Sequence, residues 1–166
     1  NSPESNYFQK RHLLYNLSNA KIAARKKNNL LICEGYMDVI SLYEKGIESV
    51  VAPMGTALTE QQIYLSWKHC SKPTIMFDGD SAGLRAAYKT ALMSLGHISP
   101  KRFIQFIKLP QNDDPDSFIN KYSLDEFVKI LKNPIPLVNY IFYQASSAHL
   151  FVSAEDKIIF DKYIDE

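Results

Sequence analysis

The stretch LLICEGYMDVISLYEKG (residues 30–46) changes period in its middle. Its opening residues form a short apolar run that Glu34 closes and Gly35 stops, which predicts a buried strand over residues 30–34. From Tyr36 onward, Val39, Ile40, Leu42 and Tyr43 recur near helical spacing. A helix is therefore predicted over residues 36–45, with Gly46 as a left-handed stop.

Outward from this unit the alternation repeats. Residues 49–52 read as a second strand running into the Pro53-Met54-Gly55-Thr56 turn, and Thr59 with Gln62 makes a capping box for a helix reaching about Cys70. A third strand over residues 74–77 ends in Asp78-Gly79-Asp80, a helix over residues 82–95 is closed by Gly96, and a fourth strand over residues 103–108 ends at Leu109-Pro110. Strands alternating with helices predict an α/β fold: a mostly parallel sheet with helices on both faces. Beyond Pro115 only helices are predicted: a turn over 116–121, a helix over 124–131 capped by Ser123 with Glu126 completing a capping box, and helices over 137–146 and 154–164, the last capped by Ser153. The chain thus divides into a lead-in segment over residues 1–28, the α/β unit over residues 29–119 and a helical segment over residues 120–166.

Bulk properties narrow the function classes. The 166 residues, 46% hydrophobic and 22% charged, suit one compact domain with a small appendage. A chain this long buries roughly 70% of its unfolded surface, which excludes disorder as the main state. No run approaches the roughly 18 apolar residues of a membrane helix, and NSPESNYFQK lacks the pattern of a signal peptide. A soluble, cytosolic protein is expected, with no membrane partner. The formal net charge of +1 favours neither a polyanionic nor a polycationic partner, so the distribution of charge has to decide. Cys33 and Cys70 sit in apolar stretches with no CxxC and no histidine pair nearby, which reads as two buried thiols. The start at Asn1 reads as the interior of a longer polypeptide.

In an open parallel sheet, ligands bind beyond the carboxyl ends of the strands. Here those positions are acidic. Glu34 ends the first strand, Asp78 and Asp80 follow the third, Asp114 and Asp116 follow the fourth, and Asp38 lies one helical turn after Glu34 on the same face. At about 4 Å and an effective dielectric near 20, each like-charge pair costs on the order of 4 kcal/mol, so convergence of these groups demands a neutralising partner. Oxygen donors without His or Cys suit a hard divalent cation, Mg²⁺ or Mn²⁺, bound through carboxylates, waters and substrate phosphates. Gly79 is expected to let the backbone turn tightly, so that Asp78 and Asp80 aim at one site. The plain alternative is that acids after strands serve as helix N-caps. Acids at three strand ends exceed what caps need, and DGDSAG supplies more carboxylate than one helix start uses.

These residues carry a resemblance. LLICEGYMDVISLYEKGI, APMGTALTEQQ and FDGDSAGLRAA resemble the successive elements of a Toprim domain, a Rossmann-like fold. EGYMDV, MGTALT, DGDSAGLRAA and LPQNDDPDSFI in that order are similar to the catalytic core of bacterial replicative DNA primases of the DnaG type, and NSPESNYFQKRHLLYNL resembles the segment that precedes Toprim in them. The resemblance implies RNA primer synthesis on a single-stranded DNA template from nucleoside triphosphates, with Mg²⁺ or Mn²⁺. It assigns Glu34 to acid or base catalysis or to the metal shell, Asp78 and Asp80 to catalysis and metal binding, and Asp38, Asp114 and Asp116 to the rest of the metal cluster. Lys10 aligns with a basic position that contacts nucleic acid or nucleotide. The resemblance also implies that zinc belongs to a further domain outside this stretch, and that the replicative helicase is met through a carboxyl-terminal region likewise outside it. It places the work at the replication fork, on the nucleoid.

Two rival classes share parts of this pattern: a Toprim-type nuclease or topoisomerase, and a noncatalytic module that uses the acids to dock a metal or protein. Arg85, in the first turns of the helix after DGDSAG, could reach a phosphate near the metals or make a surface ion pair. Arg25, Lys26 and Lys27 read as a solvated helix end. Tyr64, Leu65 and Trp67 read as a packing stripe, and packing is preferred over base stacking for Tyr140, Phe142 and Tyr143. His12, His69, His97 and His149 match no ligand spacing.

Overall fold

A computed structural model describes residues 9–55 and 57–147 of the chain. After a 3-10 turn (Lys10–His12) come β1 (Leu14–Tyr15), α1 (Leu17–Lys27), β2 (Leu31–Ile32), α2 (Tyr36–Glu44), β3 (Val50–Pro53), α3 (Glu60–Trp67) and β4 (Thr74–Phe77). Then follow α4 (Ser81–Leu95), β5 (Gln105–Lys108), α5 (Pro115–Lys121), α6 (Leu124–Leu131), β6 (Ile135–Pro136) and α7 (Leu137–Ser147). Thr56, the helix expected over residues 154–164 with its Ser153 cap, His149 and the first eight residues lie outside the described part.

The strands lie in the order β1-β3-β2-β4-β5-β6. The inner four are mutually parallel, as the helical crossovers between them require, while β1 and β6 add antiparallel edges. The expected α/β sheet is therefore present, with a mixed rather than purely parallel pattern. Successive side chains point to opposite faces, so Ile32, Val51, Ile75, Phe77 and Phe106 enter one core with residues of α1, α3, α4 and α7, including Ala20, Ile63, Ala91 and Tyr140. Leu31, Val50, Ala52, Met76 and Ile107 enter a second core with Val39, Leu42, Phe118 and Phe127 of α2, α5 and α6. Burial on both faces explains why these strands read as continuous apolar runs.

The first strand is shorter than expected, with β2 covering Leu31–Ile32 only. The Thr59–Gln62 capping box of α3 forms as expected and does more than cap. Gln62 is fully buried; its Oε1 accepts the Thr59 N–H at 2.9 Å, while its Nε2 donates to the Lys10 and Leu13 carbonyls at 3.0 and 2.7 Å. That amide fastens the turn before β1 to α3. At α6 only half of the expected box forms: Ser123 Oγ accepts the Glu126 N–H at 3.2 Å, but the Glu126 carboxylate pairs with Lys129. Cys33 and Cys70 are buried free thiols, as expected.

Candidate functional site

From β2 the chain crosses to β3 on one side and then, by α3, to β4 on the other, so the direction of the sheet's growth reverses at β2. In doubly wound sheets the ligand crevice lies at this reversal, beyond the carboxyl ends. Glu34 follows β2 and Asp78 follows β4, one on each side of it.

Asp78 is half-buried, and its Oδ1 is sealed from solvent with no hydrogen-bond partner among the described residues. Burial, then the charges of Asp38, Glu34, Asp114 and Asp80, push its carboxyl from 3.8 up to about 7. Asp38 is buried and its Oδ2 accepts the Gly35 N–H at 3.0 Å. Its carboxyl is pushed from 3.8 up to about 6, by burial first and by Asp114 and Asp116, against backbone N–H groups of Gly35 and Asp116. Glu34, exposed at the edge, is raised by partial burial and by Asp80. The acids of three separate loops thus share one field, as the sequence led us to expect.

The capping alternative also holds for two of them. Asp80 Oδ1 accepts the N–H groups of Ala82 and Gly83 at 2.9 and 2.7 Å at the start of α4, and Asp114 Oδ1 accepts the Ser117 N–H at 2.6 Å at the start of α5. Asp116 Oδ1 accepts from Asn120 Nδ2 at 2.7 Å. Among the described residues, no three His, Cys, Asp or Glu side chains stand close enough to enclose one ion as they are. The chemistry of the set nevertheless fits a hard divalent cation: every donor is a carboxylate oxygen, Asp78 Oδ1 is buried without a partner among the described residues, and burial together with neighbouring acids raises the carboxyls of Asp78, Asp38 and Glu34.

The role expected of Gly79 needs correcting. Its φ is not positive; the requirement is for space, because a Cβ there would lie 2.0 Å from the Pro110 carbonyl oxygen. The Gly79 N–H donates to the Asp113 carbonyl at 2.8 Å, which locks the Asp78–Asp80 turn to the loop after β5. Gly83 is needed likewise, since a Cβ would lie 2.3 Å from the Asp78 carbonyl oxygen. Asp113 was overlooked in the sequence: nine-tenths buried, its Oδ2 has no hydrogen-bond partner among the described residues and its Oδ1 lies 3.4 Å from Lys121 Nζ. Its position between Asn112 and Asp114 offered nothing to separate it from its acidic neighbours.

Leu14 pairs antiparallel with Pro53, the last residue of β3, so the turn carrying Lys10 stands beyond the carboxyl end of that strand, on the acidic edge. Arg85 is exposed on α4 and takes part in no ion pair among the described residues. The packing reading holds for Tyr140 and Trp67 but not for Tyr143: Tyr140 is buried and stacks on Phe106 with centroids 4.2 Å apart, and Trp67 Nε1 donates to the Phe103 carbonyl at 2.7 Å. Tyr143 is exposed and its hydroxyl accepts from Lys108 Nζ at 2.8 Å.

Fold and site define a class. Residues 31–119, more than half of the chain, match the family model described as Toprim-like, and the chain belongs to that family. The family generally binds divalent metal. Within it, the chain is 36% identical over its full 166 residues to the DNA primase of Rickettsia typhi, of which it spans 28%. It superposes on the E. coli primase catalytic core with a TM-score of 0.85 and 30% identity, over 97% of this chain and 51% of that one. A DnaG primase catalytic domain bound to ssDNA superposes with a TM-score of 0.81 and 34% identity, over 87% of this chain and 46% of that one.

Proposed function

We propose that this chain is the metal-binding part of the RNA polymerase core of a DNA primase, which builds short RNA primers on single-stranded DNA by nucleotidyl transfer. The observation that carries the reading is Asp78, whose buried Oδ1 has no hydrogen-bond partner among the described residues and whose carboxyl burial and neighbouring acids raise to about 7. The reaction class comes from the primase relatives, which match every part of the chain. In this reading Glu34, Asp78 and Asp80 form the catalytic group, and Asp38, Asp114 and Asp116 complete the set that holds Mg²⁺ or Mn²⁺. Bound there, the cation neutralises the carboxylates and the charge that develops on the transferring phosphate.

The reaction joins the 3′-hydroxyl oxygen of the growing primer to the α-phosphorus of a nucleoside triphosphate and breaks the bond to the departing pyrophosphate. Glu34, exposed at the edge and raised in pKa, takes the hydroxyl proton. Lys10 and Arg85 supply positive charge to template or triphosphate. Residues 29–119 are the Toprim unit of that core, entered from residues 1–28 and followed by a segment whose described part, residues 120–147, is helical apart from the edge strand β6. The protein works in the cytoplasm at the replication fork and meets the replicative helicase through a carboxyl-terminal region outside this chain, while zinc belongs to a different domain, also outside it. Nuclease, topoisomerase and noncatalytic readings draw no support from the primase relatives.

The test uses the longer protein that contains this chain. Asp78→Ala or Asp80→Ala is expected to abolish primer synthesis on single-stranded DNA while circular dichroism shows the fold intact, and undiminished primer yield from either variant overturns the reading.

A further inference from the structure

The acids stand at the carboxyl end of the sheet; the amino end is basic. The stretches 25–30, 68–73 and 96–104, which lead into β2, β4 and β5, contain Lys and Arg but no Asp or Glu. Those three strands are neighbours, so the stretches lie side by side at about 4.8 Å per strand. Of their lysines and arginines only Lys27 belongs to an ion pair among the described residues, with Glu48. At His69, the charges of Arg25, Lys21 and Lys68 add to burial in lowering the pKa, so the field is positive from α1 across to the end of α3.

The three stretches are also pinned to one another. The Ser71 N–H donates to Asn28 Oδ1 at 2.9 Å, and the Ser71 carbonyl accepts the Phe103 N–H at 2.9 Å. The Phe103 carbonyl in turn accepts from Trp67 Nε1 at 2.7 Å. Ser99 and Arg102 exchange backbone hydrogen bonds of 3.0 and 2.9 Å across a turn with Pro100 at its first corner, on which Lys101 and Arg102 are exposed. With both of its backbone groups engaged, Phe103 is still 41% exposed, and the Lys72 ammonium lies 5.3 Å from its ring centroid.

We propose that this basic edge holds a second stretch of single-stranded nucleic acid, remote from the reacting end, with its phosphates on Lys68, Lys72, Lys101 and Arg102 and one base stacked on Phe103. The inference stands on this edge alone and does not depend on the reaction assigned to the acids. Strand β4 holds the two ends of the sheet apart by four residues, about 13 Å at 3.3 Å per residue. That exceeds the Debye length of about 8 Å at physiological ionic strength, so the acids do not repel a strand bound here. An acidic peptide would use the cations and leave the Phe103 ring in water, and a duplex would keep its base faces to itself. A single strand uses both, because its backbone follows positive charge while each unpaired base offers a π-face to an aromatic ring.

Trp67 is the one tryptophan of the chain and is bonded to Phe103, so its fluorescence reports on this edge. The test titrates the 166-residue chain, without divalent cation, with an oligothymidylate of about 12 nucleotides, a length that single-strand sites cover. Without metal the acidic edge repels phosphate and takes no part. The oligonucleotide is expected to change the Trp67 emission, and log K is expected to fall against log salt with a slope of about −3, four phosphates at about 0.7 each. Replacing Lys101 and Arg102 together by alanine, at exposed positions that tolerate it, should halve that slope. Phe103→Leu should weaken binding about tenfold, the size of one base–aromatic stack, and leave the slope unchanged; if that variant misfolds, the Lys101 and Arg102 substitutions still decide. No emission change in the wild type, an unaltered slope in the double variant, or undiminished affinity in a folded Phe103→Leu overturns the proposal. So does equally tight binding of polyglutamate, which would point to an acidic protein, or of a duplex of the same length. Asp78→Ala is expected to bind the oligonucleotide as the wild type does, so failure of the metal reading and failure of this one are told apart.

Discussion

Gly79 and Pro110 are packed so closely that a Cβ on the first would lie 2.0 Å from the carbonyl oxygen of the second. The obstacle is backbone, which cannot swing aside as a side chain can. Gly79→Ala must therefore push apart the two loops that carry Asp78, Asp80, Asp113 and Asp114. We expect a stability loss of about 2–3 kcal/mol, at the upper end for overpacking, together with weakened Mn²⁺ binding, read by urea denaturation and calorimetry on the same samples. A variant with wild-type stability and affinity would show that the contact is not as rigid as described.

The metal-free chain should grow more stable as the solution is acidified through neutrality. Asp78 and Asp38 are raised from 3.8 to about 7 and about 6, so the folded chain holds more protons than the unfolded one between those values. Their contribution is fully present below 3.8 and is lost as pH rises through about 6 and then about 7. Thermal melts between about pH 5 and 8 should show Tm falling with pH, and Asp78→Asn, which keeps the shape and removes the charge, should flatten that slope and raise Tm at pH 8.

Divalent cation should reverse the trend. Mg²⁺ or Mn²⁺ competes with protons for the same oxygens, so its stabilisation should be larger at pH 8 than at pH 6. At about 100 times its dissociation constant, a cation bound only by the folded chain adds about 2.7 kcal/mol. Asp78→Ala should lose that increment at both pH values, a result that Tm shifts against metal concentration would reveal directly.

In the proposed reading Asp80 is both cap and metal ligand, two purposes that substitution can separate. Its Oδ1 caps α4 through Ala82 and Gly83, a task asparagine performs equally well, whereas alanine cannot. Asp80→Ala should cost about 1 kcal/mol of stability and Asp80→Asn nearly none, while both weaken Mn²⁺ binding because both remove the charge. Equal stability of the two variants would deny the cap; unaltered metal affinity in both would deny the ligand role.

Gln62 offers a test far from the acids. Its amide satisfies the Lys10 and Leu13 carbonyls inside the protein, so Gln62→Leu leaves both carbonyls and the Thr59 N–H without partners. We expect a loss of about 2–4 kcal/mol, and proteolysis within residues 9–13 should become faster.

The inner sheet was legible because each of its strands is apolar on both faces and ends at a turn residue, as with Ile75 and Met76 running into Asp78-Gly79. The edges were not. Leu14–Tyr15 and Ile135–Pro136 are too short to carry a period, and each acquires its strand character from a partner distant in sequence, Pro53 and Ala52 in one case and Phe106 and Gln105 in the other. Only the end of helix α1, at Arg25–Lys27, was legible; its body was hidden because its buried positions, Ala20 and Ala24, are small, while exposed Ile22 points the apolar signal the wrong way. The acids were legible from their places after strands, but not their double use: whether Asp80 caps, ligates or does both depends on where two N–H groups lie.

The reversal of the sheet's growth at β2 has a consequence for biosynthesis. The strand that supplies Glu34 is flanked on one side by the next strand made and on the other by the one after it, and the loop bearing Asp114 and Asp116 follows later still. A nascent chain emerging from the ribosome therefore gathers its acids in stages, and Asp114 and Asp116 join Glu34, Asp38, Asp78 and Asp80 only once the stretch after β5 has cleared the exit tunnel. In the proposed reading, the complete carboxylate set for a doubly charged ion is therefore a late-arriving property, and polypeptides arrested before that point should hold the ion more weakly than the finished chain.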